Sequence, residues 1–144
     1  MLTVYFDGSI TFNPGGEMGY AYIIYQDGDK ILTKYNTFVP EHITNTNNVS
    51  EANALICALQ WLDYNQLNNE RIMVLGDSEI VIKKVKNECR MKDKVRKTSP
   101  VYVKCIEELW KLKRLFEDID FEWIPREENE ADILTRREEN KCHT

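Results

Sequence analysis

The sequence lacks the features that mark membrane-embedded, exported and zinc-binding proteins. No apolar run approaches the ~20 residues that a membrane-spanning helix needs, and the N-terminus carries no basic stretch followed by an apolar one. Only two histidines are present, and the four cysteines form no C-x-x-C pair, which argues against a zinc site. We therefore expect a cytoplasmic protein that has no membrane partner.

The four cysteines are far apart in the sequence, at Cys57, Cys89, Cys105 and Cys142. In a reducing compartment we expect all four to be free thiols. One alternative stays open, which is a disulfide between Cys57 and Cys142 that would attach the end of the chain to the body of the protein.

Repeats, low-complexity tracts and linkers rich in proline or serine are also absent. The chain has 144 residues, of which 42% are hydrophobic and 30% charged, so it is long enough to bury a core without a disulfide or a structural metal. We expect one domain that spans residues 1–144 and acts as a monomer.

The net charge of −5 at first argues against a nucleic-acid partner, but the charge is unevenly distributed. The basic segment, Lys83–Lys97, holds eight lysines and arginines against two acidic residues, a local charge of +6. The other 129 residues carry 11 basic and 22 acidic side chains, a net −11. This asymmetry favours one face that attracts a polyanion. The alternative, a charged helix and loop that are merely solvated, stays open.

Hydrophobic periodicity predicts three consecutive antiparallel strands in the first part of the chain. Residues 2–7 alternate between apolar and polar side chains, as a strand with one buried face does. Two further strands are predicted over residues 18–26 and 31–39, because the sequence QDGD between them contains the Asp-Gly pair that is typical of hairpin turns.

The period then changes to that of a helix. Leu55, Leu59 and Leu62 share a helical face, which predicts a helix over residues 48–65. Its candidate caps are Asn47, Asn48 and Ser50. The remaining predicted elements are a buried strand RIMVLGDS, a helix from near Ser78, a helix from Pro100, a strand DFEWIP and a last helix from about Glu128 to Arg137.

The rules for connecting strands convert this order into an α/β fold with a five-stranded mixed sheet flanked by helices. Short turns place strands 3, 2 and 1 side by side with strand 2 antiparallel, and a helical crossover brings strand 4 parallel to strand 1. Strand 5 then lies outside strand 4, so the order is 3-2-1-4-5. Strands 1 and 4, which we expect to end at Asp7 and Asp77, meet at the sheet edge where α/β proteins bind ligands.

Two further carboxylates are predicted at the same edge. Glu51 lies in the first turn of the helix over residues 48–65, and Asp132 lies near the start of the last helix. Four carboxylates in one pocket repel one another, and a hard divalent cation such as Mg²⁺ offsets that repulsion. Two such ions about 4 Å apart can activate a water and stabilise the leaving oxygen of a phosphodiester.

Each carboxylate also has an ordinary structural explanation. The Asp-Gly pair at Asp7 is typical of a turn, and Asp77 can cap a helix. Glu51 suits the positive end of a helix dipole, and Asp132 lies among surface acids in the sequence REENEAD. We favour a shared site because all four carboxylates fall where the predicted sheet brings them together.

Four ordered sequence blocks resemble the type 1 ribonuclease H family, including the ribonuclease H-like domains associated with reverse transcriptases. The blocks are YFDGS with NPGG, TNNVSEANAL, VLGDS and FEWIPREENEADILTRR, and they are spread over nearly the whole chain, from Tyr5 to Arg137. The resemblance implies the ribonuclease H-like fold. It also implies that Asp7, Glu51, Asp77 and Asp132 are the catalytic carboxylates that bind metal.

The resemblance further implies a substrate-binding surface. In this family, certain side chains contact the RNA–DNA hybrid substrate through its backbone, 2′-OH groups and base edges. The positions that match them here are Asn13, Thr46, Asn47 and Asn48. Serine, threonine and asparagine side chains are suitable donors to phosphate and ribose oxygens. Helix capping is the alternative explanation for Asn47 and Asn48.

One departure from the family concerns the loop before Asp132. Many bacterial members carry a histidine in this loop, whereas the loop here is IPREENEA. It resembles the loops of archaeal and reverse-transcriptase-like members. We expect Arg126 or Glu127 to replace the histidine, with Arg126 contacting the substrate.

The sequence and the resemblance together predict a metal-dependent endonuclease that hydrolyses the RNA strand of RNA–DNA hybrids. It would use two Mg²⁺ ions, for which Mn²⁺ can substitute. Two alternatives stay open, namely a nuclease of the same fold that also acts on double-stranded RNA and a nucleic-acid-binding module with weak catalysis. The presence of all four carboxylates argues against the second alternative.

Overall fold

The computed structural model describes residues 1–135, except for the side chains of residues 36–38. Its strands are β1 Leu2–Ile10, β2 Met18–Gln26, β3 Asp29–Val39, β4 Arg71–Gly76 and β5 Asp118–Trp123. Its helices are α1 Asn47–Tyr64, α2 Glu79–Lys86, α3 Asp93–Thr98 and α4 Pro100–Lys113, followed after β5 by a 3₁₀ helix at Arg126–Glu128. The C-terminal helical segment begins at residue 130 and is described as far as residue 135.

The five strands form one sheet in the order β3-β2-β1-β4-β5, as predicted. β2 is antiparallel to both β1 and β3, whereas the β1–β4 and β4–β5 pairs are parallel. Leu2, Val4 and Phe6 alternate along β1 and are fully buried, so one face of this strand packs on the core.

The core lies between the sheet and helices α1 and α4. Helix α1 packs against β1, β2 and α4 and buries Leu55, Leu59 and Leu62, the stripe that the sequence predicts. Helix α4 begins at Pro100, as predicted, because a proline at the first helical position sacrifices no intrahelical hydrogen bond. This packing fixes the strand ends on which the site is built.

β1 is longer than predicted, because it does not end at Asp7. Its pairing with β4 stops at Tyr5, opposite Leu75, while its pairing with β2 continues through Asp7 to Ile10. Asp7 therefore lies inside a strand, and the alternative that it belongs to a turn is wrong. Beyond Tyr5, the edge of β1 that faces β4 is no longer used for strand pairing.

Helix α1 begins one residue earlier than predicted, and this places Glu51 in the second helical turn rather than the first. Thr46 is the N-cap, since its hydroxyl accepts a hydrogen bond from the Val49 N–H at 3.2 Å. Asn47 and Asn48 are the first helical residues and not caps. Glu51 lies one turn beyond these residues, and the packing of α1 on β1 sets its position.

The hairpin between β2 and β3 is confirmed, but its turn is tighter than predicted. Asp27 and Gly28 both have positive φ angles, and Gln26 pairs directly with Asp29, so β3 starts at residue 29. β5 covers residues 118–123 rather than 120–125. It ends before Pro125, which has no N–H to offer the sheet.

The basic segment Lys83–Lys97 contains a break that the sequence does not reveal. α2 ends at Lys86, and a separate short helix, α3, follows at Asp93–Thr98. The C-terminal helical segment begins two residues later than predicted, because the 3₁₀ helix Arg126–Glu128 takes up the preceding residues.

Two predictions fall outside the described residues. The end of the last helix at Arg137 is one, and the disulfide between Cys57 and Cys142 is the other. Within residues 1–135, no helix has both the length and the apolar character needed to span a membrane.

Candidate active site

Three aspartates meet at the carboxyl edge of the sheet. Asp7 comes from β1, Asp77 directly follows β4, and Asp132 lies in the C-terminal helical segment. One carboxylate oxygen from each lies within 4.8 Å of the other two. Asp7 and Asp132 are only 4% and 2% exposed, so two of the carboxylates lie where water solvates a charge poorly.

Glu51 joins this group from helix α1. Its carboxyl group lies close enough to the Asp7 carboxyl group and to the N–H of Gly8 for both to influence its pKa. Its Oε2 atom is enclosed and has no hydrogen-bond partner within the described part of the chain. A buried oxygen without a donor is costly in a folded protein, so this atom is a candidate ligand for a cation.

Gly8 permits this contact because β1 and α1 touch at its Cα atom. A Cβ atom here would lie 2.3 Å from the carbonyl carbon of Ser50 and 2.5 Å from the backbone nitrogen of Glu51. Any larger residue would push α1 away from the strand. The glycine after Asp7 is therefore explained by the close approach of a helix and not by a turn.

Gly76, the residue before Asp77, likewise permits a close contact that a side chain would block. A Cβ atom at this position would lie 2.4 Å from Cε1 of Phe6. Because Gly76 has no side chain, the Phe6 ring fills the space beside the end of β4. Neighbouring strands can thus place Asp7 and Asp77 side by side.

Burial and mutual repulsion raise the pKa values of three carboxylates in this cluster. Burial, followed by the charge of Asp77, raises the pKa of Asp7 to about 7. Burial and then the charge of Asp7 raise the pKa of Glu51 well above its usual range, and burial raises the pKa of Asp77. Without a cation, the cluster retains protons that ordinary carboxyl groups release well below neutral pH.

Arg126 is the only cationic side chain among the described residues that line this cavity. Its Nε atom donates to Asp132 Oδ1 at 3.1 Å, and the charge of Asp132 raises the pKa of the arginine further. The Arg126 side chain is 66% exposed, so much of the guanidinium group faces solvent. It offsets part of the negative charge and keeps donors available for an anionic ligand.

The cluster fits a hard divalent cation. It surrounds a cavity of about 180 Å³, and carboxylate oxygens are the ligands that Mg²⁺ and Mn²⁺ prefer. Burial and then repulsion between the carboxylates raise the pKa values of Asp7 and Glu51, and Glu51 Oε2 lacks any other described partner. The residues able to hold such an ion are Asp7, Glu51, Asp77 and Asp132.

Two uncharged residues that the sequence analysis missed hold the cluster. Asn129 is 2% exposed, and its Nδ2 atom donates to the Phe6 carbonyl at 2.9 Å and to Asp77 Oδ2 at 3.2 Å. The Thr135 hydroxyl donates to Asp7 Oδ2 at 2.9 Å. Asparagine just before a helix is a capping signal that could have identified Asn129, whereas no sequence signal marks Thr135.

A second cavity, of about 350 Å³, brings together the predicted substrate-binding residues other than Arg126. The residues that line it are Asn13, Pro14, Thr46, Asn47, Asn48, Ser99 and Tyr102. They come from the β1–β2 loop, the start of α1 and the start of α4. Arg126 lies instead at the carboxylate cavity.

The two predicted parts of the second cavity are joined directly. Asn13 Oδ1 accepts a hydrogen bond from the Asn47 N–H at 3.2 Å. Ser99 and Tyr102 complete the cavity, and neither was predicted. Tyr102 belongs to the apolar stripe of α4, so its sequence position is typical of a core residue. The Tyr102 hydroxyl is buried and has no partner within residues 1–135.

Solved structures of other proteins have a similar fold. RNase H1 from the halophilic archaeon Halobacterium salinarum matches with a TM-score of 0.73 and 25% identity, over 90% of this chain and 89% of that one. LC11-RNase H1, isolated from compost and solved in complex with an RNA/DNA hybrid, matches with a TM-score of 0.76 and 26% identity over 93% of both chains. The predicted ribonuclease H fold is confirmed.

Sequence comparison leads to the same group of proteins. Residues 5–138 match the protein family described as reverse transcriptase-like. The chain is also 28% identical over 138 residues to EbsB of Enterococcus faecalis, which is described as a hydrolase. That match covers 95% of this chain and 93% of EbsB.

Proposed function

The chain belongs to the reverse transcriptase-like family and has the fold of type 1 ribonucleases H, and on this basis we propose that it is a metal-dependent endonuclease that cuts the RNA strand of RNA–DNA hybrids. The observation that carries the proposal is the carboxylate cluster. Oxygens of Asp7, Asp77 and Asp132 lie within 4.8 Å of one another, and Glu51 lines the same cavity. One domain, residues 1–144, would carry the activity.

The four carboxylates would hold the metal ions. Asp7 and Asp77 would bind them together with Glu51, and Asp132 would complete the second metal site. When bound, two Mg²⁺ ions, or Mn²⁺ ions in their place, supply an activated water and neutralise charge on the phosphate. The protein contributes by fixing the carboxylates, through burial and through hydrogen bonds from neighbouring residues.

Arg126 would bind the RNA strand at the scissile phosphate. Its guanidinium is held at one end by Asp132 and is otherwise open to solvent, so it can donate to a phosphate oxygen beside the carboxylates. It occupies the loop in which many bacterial family members carry a histidine. Its role is therefore to position the substrate or to assist product release.

The second cavity would recognise the hybrid away from the cleavage point. Asn13, Thr46, Asn47 and Asn48 present amides and hydroxyls, which can bond both to phosphate oxygens and to the 2′-OH groups that distinguish RNA from DNA. The basic segment Lys83–Lys97 would contact phosphates. The hybrid bound to LC11-RNase H1 supports a hybrid as the substrate.

A substrate panel tests this proposal against its two alternatives. The purified protein is incubated in Mg²⁺ or Mn²⁺ with four labelled substrates, namely an RNA–DNA hybrid, double-stranded RNA, double-stranded DNA and single-stranded RNA. We expect fast cleavage of the hybrid alone. Comparable cleavage of double-stranded RNA would broaden the substrate class, and binding of the hybrid without cleavage in either metal would make the protein a binding module.

A further inference from the structure

Asn129 contacts three of the elements that carry the carboxylate cluster. It precedes the C-terminal helical segment, which contains Asp132. Its Nδ2 atom donates to the carbonyl of Phe6, the residue before Asp7 on β1, at 2.9 Å. The same nitrogen donates to Oδ2 of Asp77, which follows β4, at 3.2 Å.

Every polar atom of the Asn129 side chain is used. The two hydrogens on Nδ2 serve the Phe6 carbonyl and Asp77, and Oδ1 accepts a hydrogen bond from the Ala131 N–H at 3.1 Å. The orientation of the amide follows from its partners, because a flipped amide would direct its oxygen at a carbonyl and a carboxylate. Since only 2% of Asn129 is exposed, water cannot replace these partners.

The bond to the Phe6 carbonyl depends on the register of the sheet. The edge of β1 stops pairing with β4 at Tyr5, so the next carbonyl along that edge needs a different donor. Asn129 supplies it. The same side chain thus substitutes for the missing strand partner and holds the Asp77 carboxylate.

Thr135, the last described residue of the same helical segment, makes a matching contact. Its hydroxyl donates to Asp7 Oδ2 at 2.9 Å. The segment is therefore attached to Asp77 through Asn129 and to Asp7 through Thr135, with Asp132 between these two contacts.

We infer that Asn129 is a positioning residue that sets the spacing and orientation of Asp7, Asp77 and Asp132 for binding divalent cations. It touches neither the substrate nor the reacting atoms. It acts through the carboxylate of Asp77 and through the ends of β1 and of the C-terminal helical segment. The inference rests on the proposed function, because it assigns a role to that same cluster.

Two substitutions separate this role from simple helix capping. Serine and aspartate both cap helices as well as asparagine does, so Asn129→Ser and Asn129→Asp retain the acceptor for the Ala131 N–H. Serine lacks the N–H donors that join Phe6 to Asp77. Aspartate keeps the shape but replaces the donors with a carboxylate that faces Asp77.

Asn68 provides a matched control. Its Nδ2 atom also donates to a carboxylate oxygen and to a backbone carbonyl, Asp63 Oδ1 at 2.9 Å and the Leu115 oxygen at 3.0 Å. None of these residues lines the carboxylate cavity. Asn68→Ser therefore removes the same pattern of hydrogen bonds from a different part of the fold.

The test is Mn²⁺ binding by calorimetry, without substrate, followed by steady-state cleavage of a labelled hybrid. We expect Asn129→Ser to weaken Mn²⁺ binding by about 10-fold or more, the usual effect of removing a group that orients a metal ligand. The turnover number should fall by a similar factor, while KM for the hybrid changes less. Asn68→Ser should bind Mn²⁺ as the wild type does.

Asn129→Asp keeps the inference testable if the serine variant does not fold. Its metal-free form should melt at a lower temperature than the wild type, and Mn²⁺ should raise that temperature by more than it raises the wild type's, because the cation offsets the added charge. Wild-type Mn²⁺ affinity in Asn129→Ser, or equal Mn²⁺ stabilisation of Asn129→Asp and the wild type, would overturn the inference.

These outcomes are distinct from failure of the proposed function. A wild-type protein that binds Mn²⁺ but cleaves no nucleic acid would remove the proposed activity, and the binding data would still decide the role of Asn129. A wild-type protein that cleaves the hybrid, with Asn129→Ser equal to it in metal affinity and turnover, would remove this inference alone.

Discussion

Asp7 couples the stability of the metal-free protein to pH. Its pKa is about 7 in the folded protein against 3.8 ordinarily, so the folded state holds a proton that the unfolded state releases. The free energy of unfolding therefore falls as the pH rises from about 4 to about 7, and this group changes it no further at higher pH. Glu51, whose pKa is also raised, acts in the same direction.

We predict that Asp7→Asn raises the melting temperature of the metal-free protein at pH 8, because asparagine keeps the shape and removes the repelling charge. The variant should also lose most of the pH dependence and nearly all hybrid cleavage. Thermal denaturation in EDTA between pH 5 and 8 measures the first two effects. A variant that melts below the wild type at pH 8, or that cleaves at close to the wild-type rate, would contradict the prediction.

Arg126 and Asp132 form an ion pair, but their substitution should have unequal effects. Arg126→Ala removes an exposed group that positions the substrate, whereas Asp132→Asn removes a buried charge from the metal site. We expect turnover to fall much less in Arg126→Ala than in Asp132→Asn. Arg71→Ala is the control, since Arg71 is an equally exposed arginine paired with Asp118 away from the cavity.

The arginine prediction is checked by single-turnover and steady-state cleavage of the same hybrid. If Arg126 and Asp132 variants are equally inactive, Arg126 belongs to the core of the catalytic machinery and not to substrate positioning. Arg71→Ala should match the wild type in both assays.

At this scale the sequence predicts residues whose chemistry is unusual for their position. A carboxylate after a buried strand is such a residue, and Asp77 was found in this way. The sequence did not predict Asn129 and Thr135 as site residues, because they are polar residues in a polar stretch. They become buried only when the helical segment packs against the sheet. Tyr102 was not predicted for the opposite reason, which is that it lies in the apolar stripe of α4 and matches the pattern of a core residue.

At the scale of the elements, helix α4 holds the first residues of the basic segment in place. Trp110 Nε1 donates to the Lys84 carbonyl at 2.7 Å, and Lys113 Nζ donates to the Val85 carbonyl at 2.8 Å. Lys113 also forms an ion pair with Glu88 at 3.2 Å. These contacts hold the C-terminal end of α2, which residues 87–92 connect to the two lysines and the arginine of α3.

If the basic segment contacts phosphates, its charges should appear in the salt dependence of hybrid affinity. We predict that replacing Lys92, Lys94, Arg96 and Lys97 with glutamine weakens binding and flattens the slope of log affinity against log salt by about two units or more. The metal dependence of cleavage should not change. Affinity is measured across a salt series, with Ca²⁺ replacing Mg²⁺ to suppress cleavage.

Four exposed lysines outside the basic segment provide a charge-matched control. They are Lys30, Lys34, Lys104 and Lys111. Replacing them with glutamine changes the net charge equally but should leave the slope nearly unchanged. Equal slopes for the wild type and the basic-segment variant would mean that the segment is merely solvated.

The sequence predicts those elements that bury an apolar face. Helices α1 and α4 and strands β1, β2, β4 and β5 have such a face, so their existence and order were predicted correctly. β3 has no buried residue among its described side chains, and it was predicted from the hairpin turn instead. Helix α3 contains no buried residue and therefore has no periodic apolar signal. The start of α1 was misplaced because several polar residues in a row can cap a helix, and only the folded backbone selects Thr46.

For the whole molecule, the sheet order explains how carboxylates from distant parts of the sequence meet. Parallel pairing of β1 with β4 places Asp7 beside Asp77, and the C-terminal helical segment adds Asp132. Strand connection rules predict this order from the sequence of elements alone. They do not predict the spacing of the oxygens, which depends on the close approach at Gly8 and on the hydrogen bonds of Asn129.

The uneven charge also belongs to the whole molecule. A net charge of −5 would keep nucleic acid away from a uniformly charged surface, yet the basic segment carries +6. Metal ions bound by the carboxylate cluster would remove further repulsion at the point where the scissile phosphate must approach. If the basic segment contacts phosphates, we expect a polyanion to bind in the orientation that brings its backbone to both the basic segment and the metal site.

Strand-resolved cleavage tests the central claim most directly. A hybrid whose RNA and DNA strands carry different fluorescent labels is incubated with the wild type and with Asp77→Asn, in Mg²⁺ and in EDTA. We predict that the RNA strand is cut and the DNA strand stays whole only with the wild type in Mg²⁺. An intact RNA strand in that reaction, equal cutting of both strands, or undiminished cleavage by Asp77→Asn would contradict the assignment.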